Sequence, residues 1–558
     1  MNQTPDSFKT FAAWLAALFL TALGAQLWIV WLYGSPLPLW DQWYEASDFF
    51  KPWVAGSLKW TDFFAAHNEH RIFATRLLDV SLIGLNGRWE PLLQMTINAA
   101  IHAGFACGLA FCIWDFLGRK SGWLICALLA PFYALPYAAE NAIWGFNSQD
   151  YFVNIFALVA LGGLGFGKPG GLSWWLGLAA AVLGLFNMAS GLLAPLAVEG
   201  LLLLRWLKNR RLEKEELLSL IVCILVVIFG LALSVTKEQD RAFQAHSFLE
   251  FTAALTRNLS WPFYNVSVMP ALIGLPLALL AVFYLRPNFA QPRAAEFLLV
   301  LALWSVLQSV AMAYGRANYG GTTFPVSRYT DWFNIFVIAA MFAAVLLARL
   351  WEQHQLRNSL LALVYISIIV VGVGRMSKIV VTGLLAPSRM MTLIAEDQVE
   401  RLMATGNESD FFENPTVPPD PHLTLTVLRD PQLQTILPPI CQSPADAAKT
   451  GRFEALTRWL LQYSPAILAV GLGLFIGLCG YGLARGTMGF AAKSPVAILA
   501  LLAGLAALGF VCSKHADGRL AVEYDLQRQV AAQFKAVGNL KRAAIHEQKA
   551  EELKQFAN

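Results

Sequence analysis

TFAAWLAALFLTALGAQLWIVWLYGSPLPLWDQWYE, Thr10 to Glu45, is the stretch that decides the fold. Residues 10–33 carry no Asp, Glu, Lys or Arg. A helix needs about 20 largely apolar residues to cross a bilayer core, so 10–33 reads as a transmembrane span. A secretory signal peptide is shorter and ends on small residues. Here Trp28, Trp31 and Tyr33 occupy that end, so the span is expected to be a retained anchor. Pro36 and Pro38 follow it, and Asp41 then comes within a few residues of the membrane surface, between Trp40 and Trp43.

The remainder of the 558 residues repeats this pattern. Apolar residues make up 57 % and charged residues 14 %, against about a quarter charged in soluble chains, and mean hydropathy is +0.52. That composition excludes a cytosolic enzyme, a disordered scaffold and a nucleic-acid binder. The net charge of +4 is small, and the cations are spread over short loops rather than gathered on one basic face. Further spans are predicted near 91–117, 121–138, 151–167, 172–190, 191–207, 216–236, 266–285, 296–314, 331–349, 358–381, 464–484 and 494–512. The expected fold is therefore an all-α polytopic membrane protein of about thirteen transmembrane helices. Its predicted parts are a membrane module 1–381, a small loop-rich segment 382–463 with nine prolines, two closing spans in 464–512, and a charged helical tail 513–558. Cys441 and Cys512 lie outside the apolar runs or at the edge of one, and a disulfide between them is one option.

Lys and Arg set the orientation. Arg119 with Lys120, Lys168, the cluster from Arg205 to Lys214, Arg286 with Arg293, Arg349 with Arg357, and Arg485 with Lys493 fall on one side, the predicted cytoplasm. The other side is expected to receive the long segments 34–90, 139–150, 237–265, 315–330 and 382–463 and, with an odd number of spans, the tail after 513. A bacterial inner membrane, with these segments facing the periplasm, is the expected setting.

Those segments hold the candidate chemistry. An interfacial aromatic belt explains Trp40, Trp43 and Tyr44. It does not explain a carboxylate held among them. A carboxylate with apolar neighbours suits a general base, and aromatic faces suit the C–H faces of sugars. His67-Asn-Glu-His-Arg71 places five hydrogen-bonding side chains in a row, and buried groups of this kind need partners. On a helix His67, His70 and Arg71 would share a face. The HExxH spacing of a zinc helix is absent, although two His and Glu69 leave a divalent metal possible. Residues 71–86 are too polar to span and read as an interfacial amphipathic helix carrying Arg76 and Asp79. Glu140, Asn141, Asn147, Gln149 and Asp150 cluster at the outer ends of two spans, and Asn187 and Ser190 lie near another. Arg257, Arg316 and Arg328 are cations on the side where positive charge is disfavoured. Each is either paired with an acid such as Asp331 or placed to grip a phosphate by two parallel hydrogen bonds. Gly315, Gly320 and Gly321 flank Arg316, and Tyr329 follows Arg328.

Taken together, Leu39-Trp-Asp-Gln-Trp43 after the first span, the juxtamembrane helix, His67-Asn-Glu-His-Arg71 and Ser327-Arg-Tyr329 resemble the GT-C superfamily of integral-membrane glycosyltransferases. The resemblance implies a polyprenyl-phosphate-linked sugar donor, a glycan, lipid or protein acceptor, and inversion at the anomeric carbon. It makes Asp41 the catalytic acidic residue. Asp41 is followed by Gln42 rather than a second acid, so Glu69, Glu45 or Glu140 would be its partner. Trp40, Trp43, His67, His70, Arg71, Glu140, Asn141, Arg257, Arg316, Arg328 and Tyr329 become candidate substrate contacts. No nucleotide-binding glycine loop is present. The main rival is a transporter or flippase of lipid-linked saccharide. It would gather charge near the membrane midplane, where only Asn98, His102, Glu199 and Gln308 stand. A scaffold for surface assembly would leave the first loop unexplained.

Overall fold

The computed structural model describes residues 8–119, 121–235, 238–263, 266–319, 325–350, 355–408, 411–412, 420–442 and 450–484, and scattered helical residues between 524 and 551. Among these residues there is no strand, only an isolated antiparallel bridge between His67 and His70. Ten helical segments are long and apolar enough to cross a membrane. The chain is a polytopic helical membrane protein.

The apolar helices are α1 Phe8–Tyr33, α2 Pro91–Phe116, α3 Gly122–Ala134, α4 Ser148–Phe166, α5 Leu172–Leu185, α6 Leu193–Asn209, α7 Lys214–Ala232, α8 Met269–Tyr284, α9 Pro292–Gly315, α10 Thr330–Leu350, α11 Gln355–Val380 and α12 Ser464–Ala484. All twelve fall on expected spans. α3 and α6 reach crossing length with the helical turns that extend them to Gly122–Ile143 and Ala189–Asn209, whereas α5 and α8, at 14 and 16 residues, are shorter than a full crossing. The span expected at 494–512, Cys512, Gly320, Gly321 and most of the tail lie outside the described residues. Cys441 is buried.

Sequence explains the helix ends. Pro91 and Pro292 stand at the first helical position of α2 and α9, where the missing N–H costs nothing. A capping box at Glu213 and Glu216 starts α7. Small residues set the closest crossings. A Cβ at Gly24 of α1 would collide with the Leu468 backbone of α12, and Gly163 of α4 touches Gly177 of α5 in the same way. Small residues let helices approach closely where hydrophobic driving force is weak. α12 runs antiparallel to α1, with Trp14 and Phe475 rings 5.8 Å apart.

The bundle has two unlike ends. At one, Arg205 binds Glu296 at 2.8 Å and Glu216 at 3.4 Å, Arg349 donates to Ser121 and Lys208 sits over the Tyr284 ring. These are residues of the predicted cytoplasmic loops. The other, the loop end, carries residues 34–90.

Two expectations need correction there. α11 does not stop at 381. It runs through a π-helical turn, Val381–Leu385, into the helix Ala386–Thr405, because Ala395, Val399 and Leu402 repeat at helical spacing and face inward. The segment 382–463 is also not a separate unit. Leu37, Trp43, Phe49, Phe50, Ile83 and Trp89 of the first loop form one core with Val399, Leu402, Phe411, Val427, Leu433, Leu437 and Cys441. Lys51–Asp430 at 2.6 Å, Ser35 to Glu396 at 2.7 Å and the Trp89 N–H to Ile436 carbonyl bond at 2.7 Å cross the same seam.

The helix expected at 71–86 forms as Phe73–Asn86, closed by Gly87 at φ 78°, a conformation natural to glycine. Arg76 and Asp79 point inward and are buried, while Leu77 and Leu85 are exposed.

Candidate functional site

Asp41 opens a short helical turn, Asp41–Glu45, directly after Trp40 at φ 52°. Gln42 braces this turn. It accepts the Leu39 N–H at 3.0 Å and donates to Gln94 at 3.0 Å. Gln94 in turn takes the Trp89 indole N–H and donates to Asp79, whose burial pushes its carboxyl well above the usual range. The amide after Asp41 thus serves as a brace. The Asp41 side chain itself is 43 % exposed, so it is open to solvent on one side rather than enclosed by its aromatic neighbours. Trp40 is half-exposed, with its ring 6.4 Å from Trp144. Trp43 is fully buried in the core shared with 386–442.

Glu45, one turn after Asp41, faces inward and is 2 % exposed. Arg76 grips it with a fork, Nε to Oε2 at 2.9 Å and Nη2 to Oε1 at 2.8 Å, and also donates to the carbonyls of Asp62 and Ala65. His67 Nδ1 lies 2.8 Å from the same Oε1, and His67 Nε2 lies 3.7 Å from Asp41 Oδ2. Burial pushes the Glu45 carboxyl up, but Arg76 and His67 outweigh it and hold it below its ordinary value. Burial likewise opposes charge on His67, yet Asp41 and Glu45 together raise it to about 9. The 3.7 Å separation from Asp41 is an ion-pair distance rather than a hydrogen bond, so Asp41 acts mainly through its charge. At neutral pH an imidazolium stands between two carboxylates.

His67 to Arg71 do not form a helix face. Asn68 and Ile72 adopt left-handed φ of 52° and 43°, and His67 and His70 exchange backbone bonds at 2.8 and 2.9 Å. The resulting tight turn sends its side chains to different places. His67 goes to Glu45 and Asp41. Glu69 pairs with Arg316. Arg71 donates to the carbonyls of Phe64 and Leu233, a structural clamp. His70 Nδ1 accepts the Ala189 N–H at 3.3 Å, and burial, with His67 and Arg328 nearby, lowers it to about 4. His70 is therefore neutral.

Residues 139–150 form a plate across the middle of the site. Trp144 faces Trp40, and the Phe146 ring is 5.1 Å from His67. On the other side Glu140 Oε2 accepts from Ser327 Oγ at 2.7 Å and from the Arg328 N–H at 3.0 Å. Asn141 donates to the Arg328 carbonyl and to Asp331, each at 2.9 Å. This plate brings the Ser327-Arg-Tyr329 segment beside the first loop.

The arginines separate in role. Arg316 pairs with Glu69 and has Asp240 at 3.9 Å. Neither acid is its sequence neighbour, and Asp331 is committed to Asn141. Arg257 donates to the Ala317 carbonyl. The Arg328 guanidinium stacks on Tyr319 and Tyr329, 5.2 and 5.1 Å from their centroids, and donates to the Tyr329 hydroxyl at 3.2 Å. Among the described residues no carboxylate forms an ion pair with it.

Sequence reasoning passed over Arg76 as a site residue and left Glu45 as one of three acids. The available signal was Arg76 and Asp79 on an otherwise apolar helix, which marks an inward polar face. Among the described residues no group of three or more His, Cys, Asp or Glu side chains is arranged to hold a metal ion. No family model, curated protein or solved structure matches this chain. Fold and site define a multi-pass helical membrane protein with a polar, acid-and-arginine centre at its loop end.

Proposed function

We propose that this chain is a membrane glycosyltransferase of the GT-C type, taking a sugar from a polyprenyl-phosphate donor to a hydroxyl of a glycan, lipid or protein. One observation carries the reading. At one end of the bundle the half-exposed Asp41 carboxylate, fixed by the His67 imidazolium, shares the 139–150 plate with Arg328, a guanidinium ion-paired with no described carboxylate. Asp41 takes the acceptor hydroxyl proton as that oxygen attacks the anomeric carbon. The bond from that carbon to the phosphate oxygen breaks on the opposite face, and its electron pair leaves with the phosphate. Arg328 meets the growing charge, where preorganised donors lower the barrier most. The cation-rich opposite end supports a cytoplasmic placement for itself and a periplasmic one for the site, in a bacterial inner membrane with 494–512 as a thirteenth span.

Purified protein in nanodiscs, given a panel of polyprenyl-phosphate sugars together with a cell-envelope extract as the source of acceptor hydroxyls, tests this. Sugar-free polyprenyl phosphate should appear with at least one donor, and not with Asp41→Asn. Movement of intact lipid-linked sugar between the leaflets of sealed proteoliposomes, with no release from any donor, would instead make the chain a flippase.

A further inference from the structure

Below His70 and Arg328 lies a group of polar side chains that the reaction above does not use. Gln149, Asp150 and Asn154 occupy the first two turns of α4. Asn187 and Ser190 belong to the turn between α5 and α6, which is fastened to α4 by the Asn187 Nδ2 bond to the Gln149 carbonyl at 2.8 Å. None of the five is more than 8 % exposed. Gln149 Oε1, Asp150 Oδ1, Asn154 Oδ1, Asn187 Oδ1 and Ser190 Oγ are all buried, and none has a hydrogen-bond partner among the described residues. Burying one such group without a partner costs about 1–3 kcal/mol, so five together are not a neutral feature of packing.

Their position ties them to the site. The same turn takes His70 Nδ1 on the Ala189 N–H and the Ile72 N–H on the Asn187 carbonyl. Asp150 is within electrostatic reach of Arg328 and Glu140. The group therefore adjoins the loop-end centre at His70 and Arg328.

Chemistry selects the ligand. The five atoms are oxygens, and the three amide oxygens of Gln149, Asn154 and Asn187 can only accept, so the matching surface is rich in O–H donors. A hard cation would also accept oxygen ligands, but four of the five side chains are uncharged, and the guanidinium of Arg328 acts on the single carboxylate.

We propose that Gln149, Asp150, Asn154, Asn187 and Ser190 form a subsite for the ring hydroxyls of a monosaccharide. Resting on the donor reading above, it assigns the sugar to the wall formed by α4 and the 187–190 turn, with its phosphate toward Arg328. A site built to hydrogen-bond hydroxyls rejects analogues that lack them, because its buried acceptors are then left unpaired.

The test compares two probes on purified full-length protein in nanodiscs: a short-chain isoprenyl phosphate and the same lipid bearing a hexose or pentose, taken from the panel. The parent should bind at least one sugar-bearing lipid about tenfold or more tighter than the bare phosphate. Asn154→Leu and Asn187→Leu should each lose most of that difference while keeping the affinity for the bare phosphate. Ser190→Ala, too mild to unfold the chain, should lose about two- to tenfold of it, the scale of one hydrogen bond. If the variants keep the full preference, the subsite is wrong and the donor reading stands. Equal binding of both lipids by the parent also overturns the subsite. Failure to bind either lipid overturns the donor reading and this inference with it.

Discussion

Glu45→Gln tests the arrangement that holds Asp41. The substitution keeps size and removes the charge shared by Arg76 and His67, leaving a buried guanidinium without its acid. Breaking a buried pair in this way costs about 3–5 kcal/mol. The pH dependence is more diagnostic than the total. His67 rises from 6.5 to about 9 on folding, which corresponds to about 3 kcal/mol in favour of the folded imidazolium. That stability is fully present below pH 6.5 and is lost as pH climbs through 9. Glu45 has the opposite sign, since its folded carboxyl lies below its ordinary 4.5. Its contribution is present above that value and is lost on acidification. The parent should therefore be most stable between about pH 4.5 and 6.5 and should weaken on either side. Denaturant titration in detergent at pH 5.5, 7.5 and 9.5 measures this directly. Glu45→Gln should be less stable at pH 5.5 by about 3–5 kcal/mol, and its decline from 5.5 to 9.5 should be much shallower. A variant that falls as steeply as the parent over that interval would show that Glu45 does not hold His67 charged.

Asp41→Asn should lower turnover by at least about a hundredfold, the usual scale for losing a general base, with binding of bare isoprenyl phosphate retained in the nanodisc assay. Arg328→Lys keeps charge but loses the planar fork, and should weaken that binding about tenfold or more. Arg316→Lys should leave it near parent level and lower thermal stability instead, because Arg316 is already paired with Glu69. Leu437→Ala, in the core between the first loop and the 386–442 region, should cost about 2–5 kcal/mol in denaturant titration. Gly163→Ala should reduce the yield of folded protein on size-exclusion chromatography, since its methyl group would strike Ser173 and Gly177 of α5.

Several of these residues were readable from sequence and several were not, for different physical reasons. The apolar runs announced the helices because a bilayer demands length and allows few charges. Asp41 stood out because it follows α1 so closely. The acid that orients its neighbourhood did not, because the contact from Glu45 to His67 depends on a turn with left-handed Asn68 and Ile72, and no propensity places isoleucine there. Proximity in sequence was misleading for the arginines. Asp331 is near Arg328 in the chain, yet its partner is Asn141, while Arg316 pairs with Glu69 from the opposite half of the protein. Residues 71–86 were rightly read as helical, but amphipathicity alone does not say which face is inward, and here the inward face is the polar one. Prolines suggested a loop-rich 382–463, and the continuous helix through Ala386–Thr405 was hidden because a π-helical turn leaves no sequence mark.

The core shared by the first loop and the 386–442 region has a consequence for biogenesis. The ribosome adds roughly 5–20 residues per second, so Trp43, Phe50 and Trp89 wait some tens of seconds for Val427, Leu433 and Leu437 to be made. During that interval their apolar surface has no native cover, and Asp41 is carried on an unfinished loop. Nascent chains at this stage would be clients for membrane chaperones and proteases. A chain cut short by a premature stop codon before residue 386 would insert most of its spans and still lack a settled centre. Assembly order thus acts as a checkpoint, in which chemistry becomes available only after the far end of the message has been translated.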